Sequence, residues 1–158
     1  MLTKNNVIAI DPGKGGGLAY SLREGEVHSC GMHATTGDTI DLLRNLMAIS
    51  KTPPVCYMES MVKFIAGKTQ TGASTIVYGH NYGCLEGALM ALSYRLVFVR
   101  PQEWQKELGL GTKKGRTDRE WKNHLKAEAQ RLFPTQDVTL RTADALLILE
   151  YARRQNYE

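Results

Sequence analysis

Two short apolar runs, each closed by an acid, constrain this chain more than any other feature. Val7-Ile8-Ala9-Ile10 ends in Asp11, and Val55-Cys56-Tyr57-Met58 ends in Glu59. Each run reads as a buried strand with its acid at the carboxyl end. A third acid, Asp144, lies within Ala143-Asp144-Ala145-Leu146-Leu147-Ile148-Leu149. An ionised carboxylate in a dry interior is costly, so it is normally paired or bound to a metal. If the three converge, a divalent cation is the natural compensation.

The intervening residues set the order of elements. Residues 6–11 and 17–22 read as strands, and 26–32 as a third, with Arg23-Glu24-Gly25 as a hairpin turn. Residues 38–50 read as a helix with Ile40, Leu43, Leu46 and Met47 on one face and Asp38 as N-cap. Pro53-Pro54 stops that helix before a strand over 55–59. A polar loop over 60–74, a long helix over 75–93 and a strand over 96–99 follow. Pro101 opens a short helix over 101–108, and Gly109, Gly111 and Gly115 mark a flexible basic loop. Thr117 is placed to cap a helix reaching Phe133, with Glu120 completing a capping box. Thr139 is expected to cap the last helix, which reaches about Gln155. A β-meander followed by α/β crossovers predicts an α/β, RNase H-like fold. Its five-stranded mixed sheet is flanked by helices, and the 158 residues are expected to form one domain.

Within that order the acids have defined places. Sites in open α/β sheets form at the carboxyl edge of the strands, where Asp11 and Glu59 fall. Strand alternation puts Val7, Ala9 and Asp11 on one face, and likewise Val55, Tyr57 and Glu59. Helical spacing aligns Asp144 with Leu140, Leu147, Ile148 and Tyr151, a face suited to packing on the sheet. Carboxylates of this kind suit Mg²⁺ or Mn²⁺ rather than zinc. Metal ions so held can activate water against a phosphodiester. The plainer alternative is an Asp-Pro-Gly turn at Asp11, a surface acid at Glu59 and an arginine partner for Asp144.

Charge and cysteine content narrow the partners and the compartment. The net charge is +4, and the stretch 111–131 carries seven Lys or Arg against three acids, a local excess of the same size. A localised basic stretch is the electrostatic footprint of a polyanion, although a solvated helix face gives the same pattern. No apolar run is long enough to cross a membrane as a helix. The amino-terminal residues lack signal-peptide organisation, so a cytoplasmic protein is expected. Cys30, Cys56 and Cys84 have no CxxC spacing and read as unpaired, largely buried thiols.

Taken in order, these motifs resemble those of the RuvC-like Holliday-junction resolvases of the RNase H-like superfamily. Ile8-Ala9-Ile10-Asp11-Pro12-Gly13 with Gly17-Leu18-Ala19-Tyr20 is similar to the family's opening motif. Tyr57-Met58-Glu59-Ser60 and Ala143-Asp144-Ala145-Leu146 resemble its second and last acidic motifs. Gly83-Cys84-Leu85-Glu86-Gly87 and Val99-Arg100-Pro101-Gln102-Glu103-Trp104 resemble segments between them. The compact chain with a basic loop over 111–116 looks closest to phage-encoded members, which implies the cytoplasm of a bacterial or phage-infected cell. The resemblance implies an endonuclease on branched DNA, with Asp11, Glu59 and Asp144 as catalytic residues holding Mg²⁺. The family usually carries a further ligand, an acid or histidine, one turn before the last aspartate. Here that position is Arg141, which cannot bind a cation but suits phosphate oxygens. Asp137 is the available substitute for that ligand, although it lies seven residues before Asp144 and is expected outside the helix.

Other residues are candidates for DNA. In the loop 60–74, the resemblance makes Phe64 an apolar wedge between opened bases, with Lys63 and Lys68 beside it. Phe64 serves equally as an anchor for the loop. Lys113, Lys114 and Arg116 are the best phosphate contacts. Gly79, Gly83 and Gly87 form a smooth stripe, read here as tight packing on the sheet, with a helix–helix dimer seam as the sharper reading. A homodimer is expected independently, because a four-way junction has near two-fold symmetry. Trp104 and Trp121 are expected in the core, and the four histidines show no ligand spacing. A junction-binding protein with a decayed site, and an RNase H-like nuclease on RNA or hybrids, remain open. An actin-like or sugar-kinase ATPase would need a second Asp-x-Gly loop, so no nucleotide cofactor is expected.

Overall fold

The computed structural model describes residues 6–60 and 72–155. Its strands are β1 (Val7–Asp11), β2 (Gly17–Ser21), β3 (His28–Gly31), β4 (Val55–Glu59) and β5 (Arg95–Val99). They form one mixed sheet in the order β3-β2-β1-β4-β5. The β1–β2 and β2–β3 pairs are antiparallel, as a meander requires, and β4 and β5 then add parallel to β1. The α/β, RNase H-like arrangement expected from the sequence is therefore the one observed.

Five helices cover the two faces: α1 (Thr36–Ile49), α2 (Gly72–Ala91), α3 (Pro101–Glu107), α4 (Asp118–Leu132) and α5 (Ala143–Gln155). On one face Val7, Ala9, Val55 and Tyr57 meet α5, Trp104 of α3, and Trp121, Leu125 and Ala129 of α4. On the other, Ile8, Ile10, Cys56 and Met58 meet Leu43 and Leu46 of α1 and Tyr82, Leu85 and Leu89 of α2. Alternation along each strand thus feeds two cores, which is why β1 and β4 are apolar up to their closing acids. The first half of α5 is buried on every side, from Ala143 to Leu149. Each enclosed Leu or Ile there contributes about 1.5–3 kcal/mol of burial.

Helix boundaries differ from the sequence reading at three places. Thr35, not Asp38, caps α1: its hydroxyl oxygen accepts from the Asp38 N–H at 3.1 Å. Asp38 instead accepts the Thr35 O–H at 2.6 Å, so both caps were present and the earlier one prevailed. Helix α2 begins at Gly72 rather than 75. Thr139 does not cap α5; it closes a turn in which the Thr139 N–H donates to the Thr142 hydroxyl at 3.0 Å. The helix then starts at Ala143, leaving Leu140 outside it and half exposed. The expected Thr117–Glu120 capping box of α4 is present in both directions. Trp104 and Trp121 are both buried. No described helix is long and apolar enough to cross a membrane.

Candidate active site

Strands β1 and β4 run parallel in register, with Ile10 beside Met58 as the last pair before the two acids. Val7 and Ala9, and Val55 and Tyr57, all face α5. Alternation therefore puts Asp11 and Glu59 on the α5 side at the carboxyl edge. Glu59 is 1% exposed, and its Oε2 accepts the Trp104 indole N–H at 3.0 Å. Trp104 is delivered by α3, which Pro101 opens and where the Glu103 carboxylate accepts the Arg100 backbone N–H at 2.8 Å.

Asp144 is the second residue of α5 and 3% exposed. Its Oδ2 accepts from the Lys122 ammonium of α4 at 2.5 Å, while Oδ1 is buried with no hydrogen-bond partner. Lys122 is half exposed, so this pair joins a buried acid to a solvated base. The alternative of an arginine partner for Asp144 is not what the fold supplies. Asp11, the last residue of β1, is only partly buried and leads into a tight loop. The Gly16 N–H donates to the Gly13 carbonyl at 3.1 Å. A Cβ on Gly16 would stand 2.0 Å from the Asp11 carbonyl oxygen, so only glycine fits there.

These carboxylates share one edge and one face of the sheet. Yet among the described residues no three His, Cys, Asp or Glu side chains gather closely enough to hold a metal ion. The closure expected from the sequence is thus incomplete in this conformation. Glu59 is turned to an indole donor and Asp144 to an ammonium.

Comparison with solved structures fixes the architecture. Thermus thermophilus RuvC superposes with a TM-score of 0.55 and 14% identity, over 96% of this chain and 95% of that chain. T. thermophilus RuvC in complex with a Holliday junction substrate gives 0.59 and 12% identity, over 96% and 95%. The fold is that of RuvC. No family model matches the sequence, and no curated protein does either.

On this RuvC fold the other expected residues fall as follows. Lys63, Phe64 and Lys68 lie outside the described residues. Lys113, Lys114 and Arg116 are all exposed on the approach to α4. The segment is less free than its glycines suggest. The Arg116 N–H donates to the Lys113 carbonyl at 3.0 Å, and Gly115 takes the positive φ of +78° that the turn needs. Lys113 pairs with Asp118, and Arg116 lies 5.5 Å over the Trp121 ring. Arg141 is a brace: its Nη2 donates to the carbonyls of Met32 at 2.5 Å and Lys14 at 3.2 Å. Its guanidinium rests where only Gly31 leaves room. It thereby ties the approach to α5 to the loop that follows Asp11.

Two participants escaped the sequence reading. The sequence places Trp104 in the core, as observed, but shows no destination for its polar N–H. Buried tryptophans usually find an acceptor, and a buried acid in the same fold was the available signal. Lys122 reads from the sequence only as part of a basic stretch. The glycine stripe of α2 was misread as well: a Cβ on Gly79, Gly83 or Gly87 would meet nothing within 4 Å. The stripe faces outward and is not packed on the sheet.

Proposed function

We propose that this protein is a structure-selective endonuclease that cuts Holliday junctions and related branched DNA. The observation that carries the reading is Asp144 Oδ1. It is buried and without a hydrogen bond, at the carboxyl edge of a RuvC-fold sheet that also holds Glu59 and Asp11. A buried acceptor left unmade costs about 1–3 kcal/mol, so its retention calls for a partner in the working state.

The donor chemistry fits a hard divalent cation: all three candidate ligands are carboxylates, and one of their oxygens is uncommitted. Asp11, Glu59 and Asp144 would hold Mg²⁺, with Mn²⁺ as a substitute. An ion bound there supplies positive charge that acidifies water and polarises a phosphate oxygen. The chain's own residues do the rest. Trp104 fixes the Glu59 carboxylate in orientation, and Lys122 offsets the charge of Asp144 until the site is filled. Arg141 steadies the loop after Asp11 and, with Lys113, Lys114 and Arg116, supplies positive charge for DNA phosphates. Lys63, Phe64 and Lys68 belong to the same interface by the resemblance. Hydrolysis in this reading leaves a 5′-phosphate and a 3′-hydroxyl. The compact form and the basic turn match a phage-type member working in the cytoplasm, as one domain.

Two copies acting together are part of the proposal. Helix α2 turns Ile76, His80, Gly83, Gly87 and Met90 outward, at alternating spacings of four and three. That period is the seam of a helix pair, and Ile76 and Met90 are 73% and 66% exposed. A two-fold pairing through α2 would give the two symmetric cuts a junction needs.

The test is an end-labelled four-way junction beside a linear duplex, in Mg²⁺ or EDTA, with wild type, Asp11→Asn and Asp144→Asn. Paired nicks across the junction, dependent on Mg²⁺ and absent from both variants, are expected. Lys122 against Asp144, with no closed metal cluster among the described residues, favours a second reading: a junction-binding protein that does not cut. Binding without cleavage in either Mg²⁺ or Mn²⁺ would decide for that second reading.

A further inference from the structure

A cavity of about 280 Å³ opens at the same sheet edge as Asp11, but on the face covered by α1 and α2. Gly13 and Lys14, in the loop after Asp11, form one side. Met32 and His33, just past β3, and the start of α1 form another. Val77, Asn81 and Leu85 of α2 form the third. Its size is at the lower end for ligand cavities, which begin near 300 Å³, so it suits one planar ring system.

The Thr35 and Thr39 hydroxyls beside it are taken up by the start of α1, but three other polar groups are uncommitted. His33 Nδ1 is buried without a hydrogen-bond partner. Neither the Asn81 amide nor the Lys14 ammonium makes a hydrogen bond or ion pair with another described residue. Apolar walls from Val77 and Leu85 stand beside an amide that both donates and accepts, with a cation at the rim. That combination matches a nucleobase carrying a phosphate. Ring faces lie against aliphatic side chains, a base edge pairs with a side-chain amide, and the phosphate meets a lysine.

We propose that this cavity binds a single unstacked nucleotide: the base beside Asn81 and His33, and its phosphate at Lys14. The DNA source of that nucleotide rests on the proposed action on branched DNA, where bases at the branch are already unpaired. Removing a base from the stack costs least when it has no partner. The pocket would then register an opened branch point next to the acidic edge and help confine cutting to it.

The first arm of the test needs no cleavage. Isotopically labelled full chain is titrated with 2′-deoxynucleoside 5′-monophosphates and, separately, with inorganic phosphate. The Asn81 side-chain amide and the Val77 and Leu85 methyl signals are followed by NMR. Mononucleotides should shift all three saturably. Asn81→Ala should weaken binding about tenfold, the scale expected for one lost bidentate base contact. Ala34→Trp, an exposed change at the rim, should block it. Unmoved methyl signals, or the same shifts with phosphate alone, would overturn the assignment. The second arm places 2-aminopurine at the branch of a four-way junction in EDTA. Its fluorescence should change on binding wild type and not on binding Ala34→Trp. Equal responses from the two proteins would assign the cavity to free nucleotide and overturn the DNA source. A junction that is not bound at all would count against the nuclease reading, while the mononucleotide arm still decides the cavity.

Discussion

At the residue scale, the site is held by contacts that join distant parts of the chain. The Trp104 indole reaches Glu59 across 45 positions, and Lys122 reaches Asp144 across 22. Trp104→Phe keeps most of the packing and removes the indole N–H that donates to the buried Glu59 carboxylate. It should cost about 1–3 kcal/mol in urea unfolding, with loss of cleavage beyond that stability effect. The acids themselves were legible because each breaks a local apolar pattern, and a local break is visible in one sequence. Their partners were not, since nothing near Trp104 or Lys122 in the chain reveals what lies across the fold. The thiols offer a check on burial at the same scale. Burial pushes the Cys56 thiol well above its ordinary range, whereas Cys30 and Cys84 are partly exposed. Alkylation of native protein near pH 8 should label Cys84 and Cys30 before Cys56, which should react only on unfolding. Peptide mass mapping reads this directly.

At the scale of single elements, caps decide where helices begin, and competition among caps explains the sequence errors. Thr117 had no rival near α4, and its box with Glu120 was read correctly. Thr35 and Asp38 were both competent, whereas Thr139 and Thr142 bond each other and close a turn ahead of α5. Sequence alone does not rank two caps three residues apart. Thr117→Ala should lower stability by about 1 kcal/mol, measured by thermal or urea melts. The caps also carry a pH signature. The Arg100 backbone N–H, then its side chain, holds the Glu103 carboxyl below its ordinary range. The Thr117 backbone N–H, then its hydroxyl, does the same for Glu120. Folded values lie below unfolded ones, so this stabilisation is complete above the unfolded carboxylate value, roughly 4.3. It is lost as pH falls through the folded values. Stability should therefore decline from about pH 5 downward, and the Glu103→Gln, Glu120→Gln double variant should flatten part of that decline. Melting temperature measured from pH 3 to 7 tests it.

Across the whole molecule, strand order was legible because a hairpin turn and two crossovers leave few ways to lay five strands in one sheet. The outward seam of α2 was harder, since a glycine stripe looks the same whether it abuts a sheet or another copy. Only the empty space beyond Gly79, Gly83 and Gly87 separates the two. If α2 pairs two copies, Ile76→Glu should yield monomers in sedimentation at micromolar concentration. Junction nicks should then become single and uncoupled, with folding unchanged, because Ile76 contributes little to the protein's own core. The placement of α5 has a further consequence for how the molecule is made. Its buried half rests on β1, more than 130 residues earlier in the chain, and it carries the third acid. While a ribosome still holds that segment, β1 and β4 have one face bare and the acidic edge lacks Asp144. A chain cut short before α5 should therefore be harmless to DNA and exposed to proteases, so that any cutting ability would arise only with the last long-range contact to form.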